Sequence, residues 1–109
     1  MHELGVTRNI VAIVSEQAGN KIVKRVQLDI GKLSAIMPDA IRFCFDVCSK
    51  GTPLENATLE INEVPGLASC KECGNEFEIE QLFGRCKCGS NHIQCIAGDE
   101  MKIKEMEII

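Results

Sequence analysis

Apolar positions change period repeatedly along this 109-residue chain, and each change marks an element. Val6, Ile10, Ile13 and Val14 recur at helical spacing, flanked by Leu4, Val11 and Ala18, and predict a helix over residues 4–18. Gly19-Asn20 supplies its stop. Residues 22–30 switch to period two, with Val26, Leu28 and Ile30 on one face and Gln27 and Asp29 on the other. Gly31 ends that strand. Pro38 suits a first helical position, where its missing N–H has no intrahelical partner to lose. Ile41, Cys44, Phe45 and Cys48 follow at i, i+3, i+4 and i+7, and Gly51 closes this second helix. Residues 57–64 alternate again through Ala57, Leu59 and Ile61 until Pro65-Gly66 breaks the run.

Beyond the break, residues 67–97 are rich in cysteine, with short strands expected around 77–79 and 93–96. Gly98-Asp99 is a turn signal. The tail from 100 to 109 reads as a strand whose phase shifts, since Met101 and Ile103 share one phase and Met106 and Ile108 the other. A bulge or two-sided burial accounts for such a shift. The order of elements predicts an α+β fold. Residues 1–66 form two helices on an antiparallel sheet, completed by the C-terminal strand in 98–109. The cysteine-rich lobe of 67–97 is inserted between them.

Apolar residues at 45% and charged residues at 26% describe a globular chain, so disorder is excluded. With no Trp or Tyr and 4 Phe, the core must be built from aliphatic side chains. A net charge of -4, a pI near 5.2 and the lack of a basic stripe argue against nucleic acid as a partner. No signal peptide is readable at the start, and no apolar run approaches the roughly 20 residues of a bilayer span. Seven cysteines, an odd number, suggest thiolate ligands in a reducing cytoplasm more than a disulfide framework.

Four of those cysteines are arranged as Cys70-x2-Cys73 and, after a short spacer, Cys86-x-Cys88. Two close pairs separated by a returning loop are what a tetrahedral thiolate zinc site requires, so the lobe is zinc-ribbon-like. The second pair is tighter than the usual two-residue gap. That leaves His92 and Cys95 open as replacements for one of its sulfurs. Among apolar neighbours, Cys95 reads as a small core residue, and Cys44 and Cys48 lie on the apolar stripe of the second helix.

The chain opens Met1-His2-Glu3. A terminal amine, the amide of residue 2 and an imidazole within one short chelate match the nitrogen-rich, square-planar preference of nickel(II) and copper(II). Glu3 can complete or tune such a site. On chemistry alone, a histidine at this position is more often incidental.

Context changes that weighting. Met1-His2-Glu3-Leu4 precedes a helix, Lys24-Arg25-Val26 leads into a strand ending Ile30-Gly31, and Phe43-Cys44-Phe45-Asp46 and Gly51-Thr52 follow. The paired cysteines and Gly98-Asp99-Glu100-Met101 before a terminal strand complete the order. The whole chain resembles the HypA/HybF family of hydrogenase nickel-incorporation proteins. The resemblance implies a nickel metallochaperone, not an enzyme. It implies nickel at His2, with the Met1 amine and Glu3 as companions, and structural zinc on Cys70, Cys73, Cys86 and Cys88. It also implies a HypB-type GTPase and the large subunit of [NiFe] hydrogenase as partners, with urease maturation served by some relatives. A homodimer is compatible with it. The second cysteine pair is one residue shorter than the family's usual spacing.

No general acid–base pair, activated nucleophile or phosphate loop is visible, in keeping with a non-enzymatic role. The rival reading is a zinc-ribbon scaffold for protein partners, without a nickel site of its own. A nucleic-acid-binding ribbon and a thiol redox protein built on Cys70-x2-Cys73 rank below it.

Overall fold

The computed structural model describes residues 3–109, so the expected nickel ligands Met1 and His2 lie outside the described residues. The chain runs α1 (Glu3–Gln17), β1 (Val23–Gly31), α2 (Pro38–Cys48), β2 (Thr58–Val64), β3 (Gly66–Cys70), β4 (Glu76–Ile79), β5 (Ile93–Ala97) and β6 (Met101–Ile108). The molecule is elongated, measuring 53 × 23 × 17 Å, because its strands form two separate three-stranded sheets.

The first sheet has the order β2-β1-β6, with the central strand most deeply buried. Val26, Leu28 and Ile30 point into the core as the alternation indicates. Asp29, on the other face, is also buried and accepts a hydrogen bond from Asn62 Nδ2 at 3.2 Å, so it does not point freely to solvent. The terminal strand is recruited as expected, antiparallel to β1. The sheet is mixed, however, and not antiparallel throughout: β2 runs parallel to β1. The cause is α2, which carries the chain back across the sheet so that β2 enters in the direction of β1.

The phase shift in the tail is a bulge. Gln27 pairs with Glu105 and Leu28 with Ile103, which leaves Lys104 as an extra residue. Ile103 and Met106 therefore both reach the core side, and both pack partly buried against it.

The two helices close that core. Pro38 takes the first helical position of α2, and Ile41 and Phe45 are buried along its stripe. Val6, Ile10, Val11 and Val14 bury the corresponding face of α1. Ile13, counted on the same stripe, is 44% exposed. Its angular position sets it on the flank of the buried face, beside β6. Asn20 has a φ of 64°, the left-handed conformation in which Asn is tolerated after a helix.

The second sheet, of order β4-β3-β5, is antiparallel and carries the cysteines. Two chain crossings join it to the first sheet, at Pro65-Gly66 and Gly98-Asp99. They are tightly packed: Leu33 N–H donates to Gly98 O at 2.8 Å, and Lys32 N–H to Val64 O at 2.9 Å. Gly98 has a φ of 86°, and a side chain there would meet the backbone of Pro65 and Gly66, so only glycine fits.

Candidate metal centre

The cysteine pairs sit on two tight turns at the far end of the second sheet. Cys70 ends β3, and its carbonyl accepts a hydrogen bond from Gly74 N–H at 2.9 Å. The Cys86 carbonyl accepts from Gly89 N–H at 2.9 Å. The first turn therefore closes over four residues and the second over three. The one-residue-shorter pair is accommodated by a turn one residue tighter. A glycine with positive φ follows each pair, Gly74 at 75° and Gly89 at 92°. Ligand spacing alone does not point to these glycines; their position directly after Cys73 and Cys88 is the signal in the sequence that does.

All four sulfurs lie within 4.8 Å of one another. Cys70 Sγ is 3.7 Å from Cys88 Sγ, and Cys73 Sγ is 3.5 Å from Cys86 Sγ, so the turns interlock crosswise. A tetrahedron with Zn–S bonds of about 2.3 Å sets its sulfurs roughly 3.8 Å apart. The donor set and its spacing fit a thiolate zinc site. His92 is not among the four: its Nδ1 sits 3.0 Å from Glu72 Oε1 on the surface. Cys95 is also elsewhere, with its thiol donating to Ala97 O at 3.3 Å. Cys44 and Cys48 are half-buried on α2, away from the cluster.

The electrostatics of the four thiols are those of a site made for a cation. The backbone N–H of Cys73 stabilises the Cys70 thiolate, with a further donor at Glu72, and lowers its pKa to about 6. The backbone N–H of Cys88 likewise lowers Cys86. Asn75 N–H favours the Cys73 thiolate, but Cys86, desolvation, Cys70 and Cys88 outweigh it and push Cys73 up to about 12. Cys88 is also raised, because Cys70, Cys86 and desolvation outweigh the help of Ser90 N–H. Each contacting pair thus contains one lowered and one raised thiol. Adjacent anions cannot all ionise until a positive charge sits among them.

Of the expected nickel ligands, Glu3 is the one among the described residues. Glu3 opens α1, half-buried, and its carbonyl accepts a hydrogen bond from Thr7 Oγ1 at 2.7 Å. It lies on α1, in the part of the molecule built on the first sheet, and among the described residues it belongs to no cluster of metal-ligating side chains.

The family model described as hydrogenase/urease nickel incorporation, metallochaperone, HypA, matches residues 1–108. This chain belongs to the HypA family. A hydrogenase maturation factor HypA from Nostoc sp. is 64% identical over 108 residues, covering 99% of this chain and 96% of its own. A HypA of the same description from Geobacter metallireducens is 42% identical over 109 residues, covering 99% of each. The solution structure of the Ni metallochaperone HypA from Helicobacter pylori superposes with a TM-score of 0.71 over 100% of this chain and 98% of that one. At 24% identity that last likeness concerns the fold, which this HypA-family chain shares from end to end. The α+β architecture, with two helices and a cysteine-bearing sheet, is therefore the family's own. Among the described residues, no helix of the chain is long and apolar enough to cross a membrane.

Proposed function

We propose that this chain carries nickel(II) at its amino terminus, held by the Met1 amine, His2 and Glu3, and delivers it during maturation of [NiFe] hydrogenase. The observation that carries the proposal is that the nickel-incorporation family match begins at residue 1 and so includes the Met1-His2-Glu3 opening. A HypB-type GTPase and the hydrogenase large subunit are the partners this reading requires, and urease maturation is a second destination open to the same chemistry. The cytoplasm is the compartment that keeps its thiols reduced.

Two metals then have two jobs. Cys70, Cys73, Cys86 and Cys88 hold structural zinc in the lobe of residues 67–97. Cys70 and Cys86 are buried, and four thiolates close the coordination shell, so this site favours retention. Nickel is cargo on the lobe formed by 1–66 and 98–109. Ligands gathered within three consecutive residues can be displaced one at a time as a receiving protein's donors replace them. That arrangement favours release.

Calorimetric titration of nickel into tag-free, zinc-loaded protein tests the proposal. One nickel per chain is expected, lost both in His2→Ala and in a variant with one residue added before Met1. Undiminished binding in both variants would overturn the amino-terminal site.

A further inference from the structure

We infer that the pocket where the two sheets meet takes the guanidinium of an arginine side chain presented by a partner protein. None of the expected nickel or zinc ligands lines it.

The pocket is built around Asp29. Period two puts that residue on the face of β1 turned away from the core, with Asn62 of β2 and Lys102 of β6 as its neighbours across the sheet. A carboxylate on such a face ordinarily meets water, yet Asp29 is 8% exposed. Asn62 Nδ2 donates to its Oδ1 at 3.2 Å. Its Oδ2 has no hydrogen-bond or ion-pair partner among the described residues, and Lys102 is not paired with it although it stands directly across. A carboxylate oxygen this far from water and without a donor is unfavourable, and a donor entering the pocket would offset that.

The cavity has a volume of about 230 Å³. Asp29, Asp99 and Glu100 line it against Lys102 alone, so negative charge is in excess. Val64 and Ile96 supply apolar wall, which gives the 45% exposed Ile96 a surface to offer. The rim is set in advance by the chain crossing: Leu33 N–H donates to Gly98 O at 2.8 Å, and Gly31 N–H to Glu100 O at 2.9 Å. A site ordered before binding spends less free energy on being ordered by its ligand.

This mixture of walls selects the ligand. Apolar wall suits a methylene stem and carboxylates suit a cationic head, the two ends of a long basic side chain. Among the described residues, only the four cysteines converge as a metal-ligating group of three or more, so these carboxylates do not share one compact ion. A planar guanidinium carries five N–H donors in a fixed fork and can donate to acceptors that stand apart, which a lysine ammonium, as a point charge, does less well. The excess of carboxylates complements a basic segment of a partner, whose arginine would enter from the sheet face opposite the core.

Amide NMR of the zinc-loaded full chain, titrated with N-acetyl-arginine methylamide, tests the inference. Saturable shifts at Ile96, Ala97, Gly98 and Asp99 are expected, with a dissociation constant of about 1–10 mM for the isolated side chain. Asp29→Asn keeps the shape and the acceptor for Asn62, and should weaken binding about tenfold or more. Glu100→Gln, on an exposed residue, should weaken it about twofold and serves if the first variant does not fold. The citrulline counterpart, which is neutral, should not bind, and guanidinium ion alone should bind more weakly because it lacks the stem. No saturable shift at about 50 mM would overturn the inference. So would equal binding of citrulline, binding of guanidinium ion as tight as that of the blocked arginine, or affinity unchanged in both variants.

Discussion

The two sheets of this molecule are held together by different physics. Around the first, twelve apolar residues of α1, β1, α2 and the loop before β2 form one buried cluster, from Val6 to Leu54. Around the second, the buried hydrophobic side chains are Ala68, Cys70 and Cys86. Two of those three are cysteines of the cluster. The first lobe can fold on the burial of aliphatic surface, each large side chain contributing about 1.5–3 kcal/mol. The second has little to bury among the described residues, so the zinc proposed for its four cysteines would supply what a core supplies elsewhere. Leu82 and Phe83 are 58% and 77% exposed and Phe77 is only half-buried, so the lobe's larger apolar side chains form no core.

The sharpest way to break the contrast is to remove the metal. Chelation, or Cys70→Ser, should unfold the second sheet, since structural zinc sites contribute on the order of 10–16 kcal/mol. Hydrogen exchange would show amide protection lost in β3, β4 and β5 and kept in α1, α2 and β1. Loss in both sheets together would mean that the lobes are not energetically separable.

The converse perturbation is smaller. Leu28, fully buried in the central strand, should cost about 2–5 kcal/mol as Leu28→Ala. Denaturant unfolding of the first lobe would report it, while cobalt substituted at the cysteines keeps its thiolate absorption. A spectral change in that variant would reveal coupling through the Gly66 and Gly98 crossings.

The pH response should differ between the lobes too. Cys73 and Cys88 hold their protons above neutrality, whereas Cys70, at about 6, is largely thiolate at pH 7. Metal must displace the protons on the raised pair. Zinc affinity should therefore rise with pH by roughly one to two orders of magnitude per unit near neutrality, measured by competition with a chelator. An affinity flat from pH 6 to 8 would contradict the pairing of lowered and raised thiols.

Much of this was legible because it depends on neighbours in sequence. The period-two run of Val26, Leu28 and Ile30 and the i, i+3, i+4 stripe of Ile41, Cys44 and Phe45 report burial directly, and Pro38 marks a helix start for a purely local reason. The shift of phase between Ile103 and Met106 even announced the bulge at Lys104. Where reading by period went astray, a distant neighbour was responsible. Ile13 has core spacing yet borders a groove, because among the described residues no element covers that flank of α1 beside β6. Asp29 has solvent spacing yet is buried, because Asn62 of β2 lies across from it.

By itself, the sequence determined both helices, the strands other than β3, the α+β class and the four clustered cysteines, since local sterics, hydrophobic period and ligand spacing are encoded within a few residues; β3, Gly66–Cys70, is too short and too poor in large apolar residues to show a period. The parallel pairing of β2 with β1 was decided only in three dimensions, by the path of α2 between them. The crosswise meeting of Cys70 with Cys88 and Cys73 with Cys86 was decided there as well. Those sulfurs are separated by 18 and 13 residues. Each turn closes on a local hydrogen bond of its own, but only the fold brings β3 and the second turn side by side so that a tight pair and a wider one share one site.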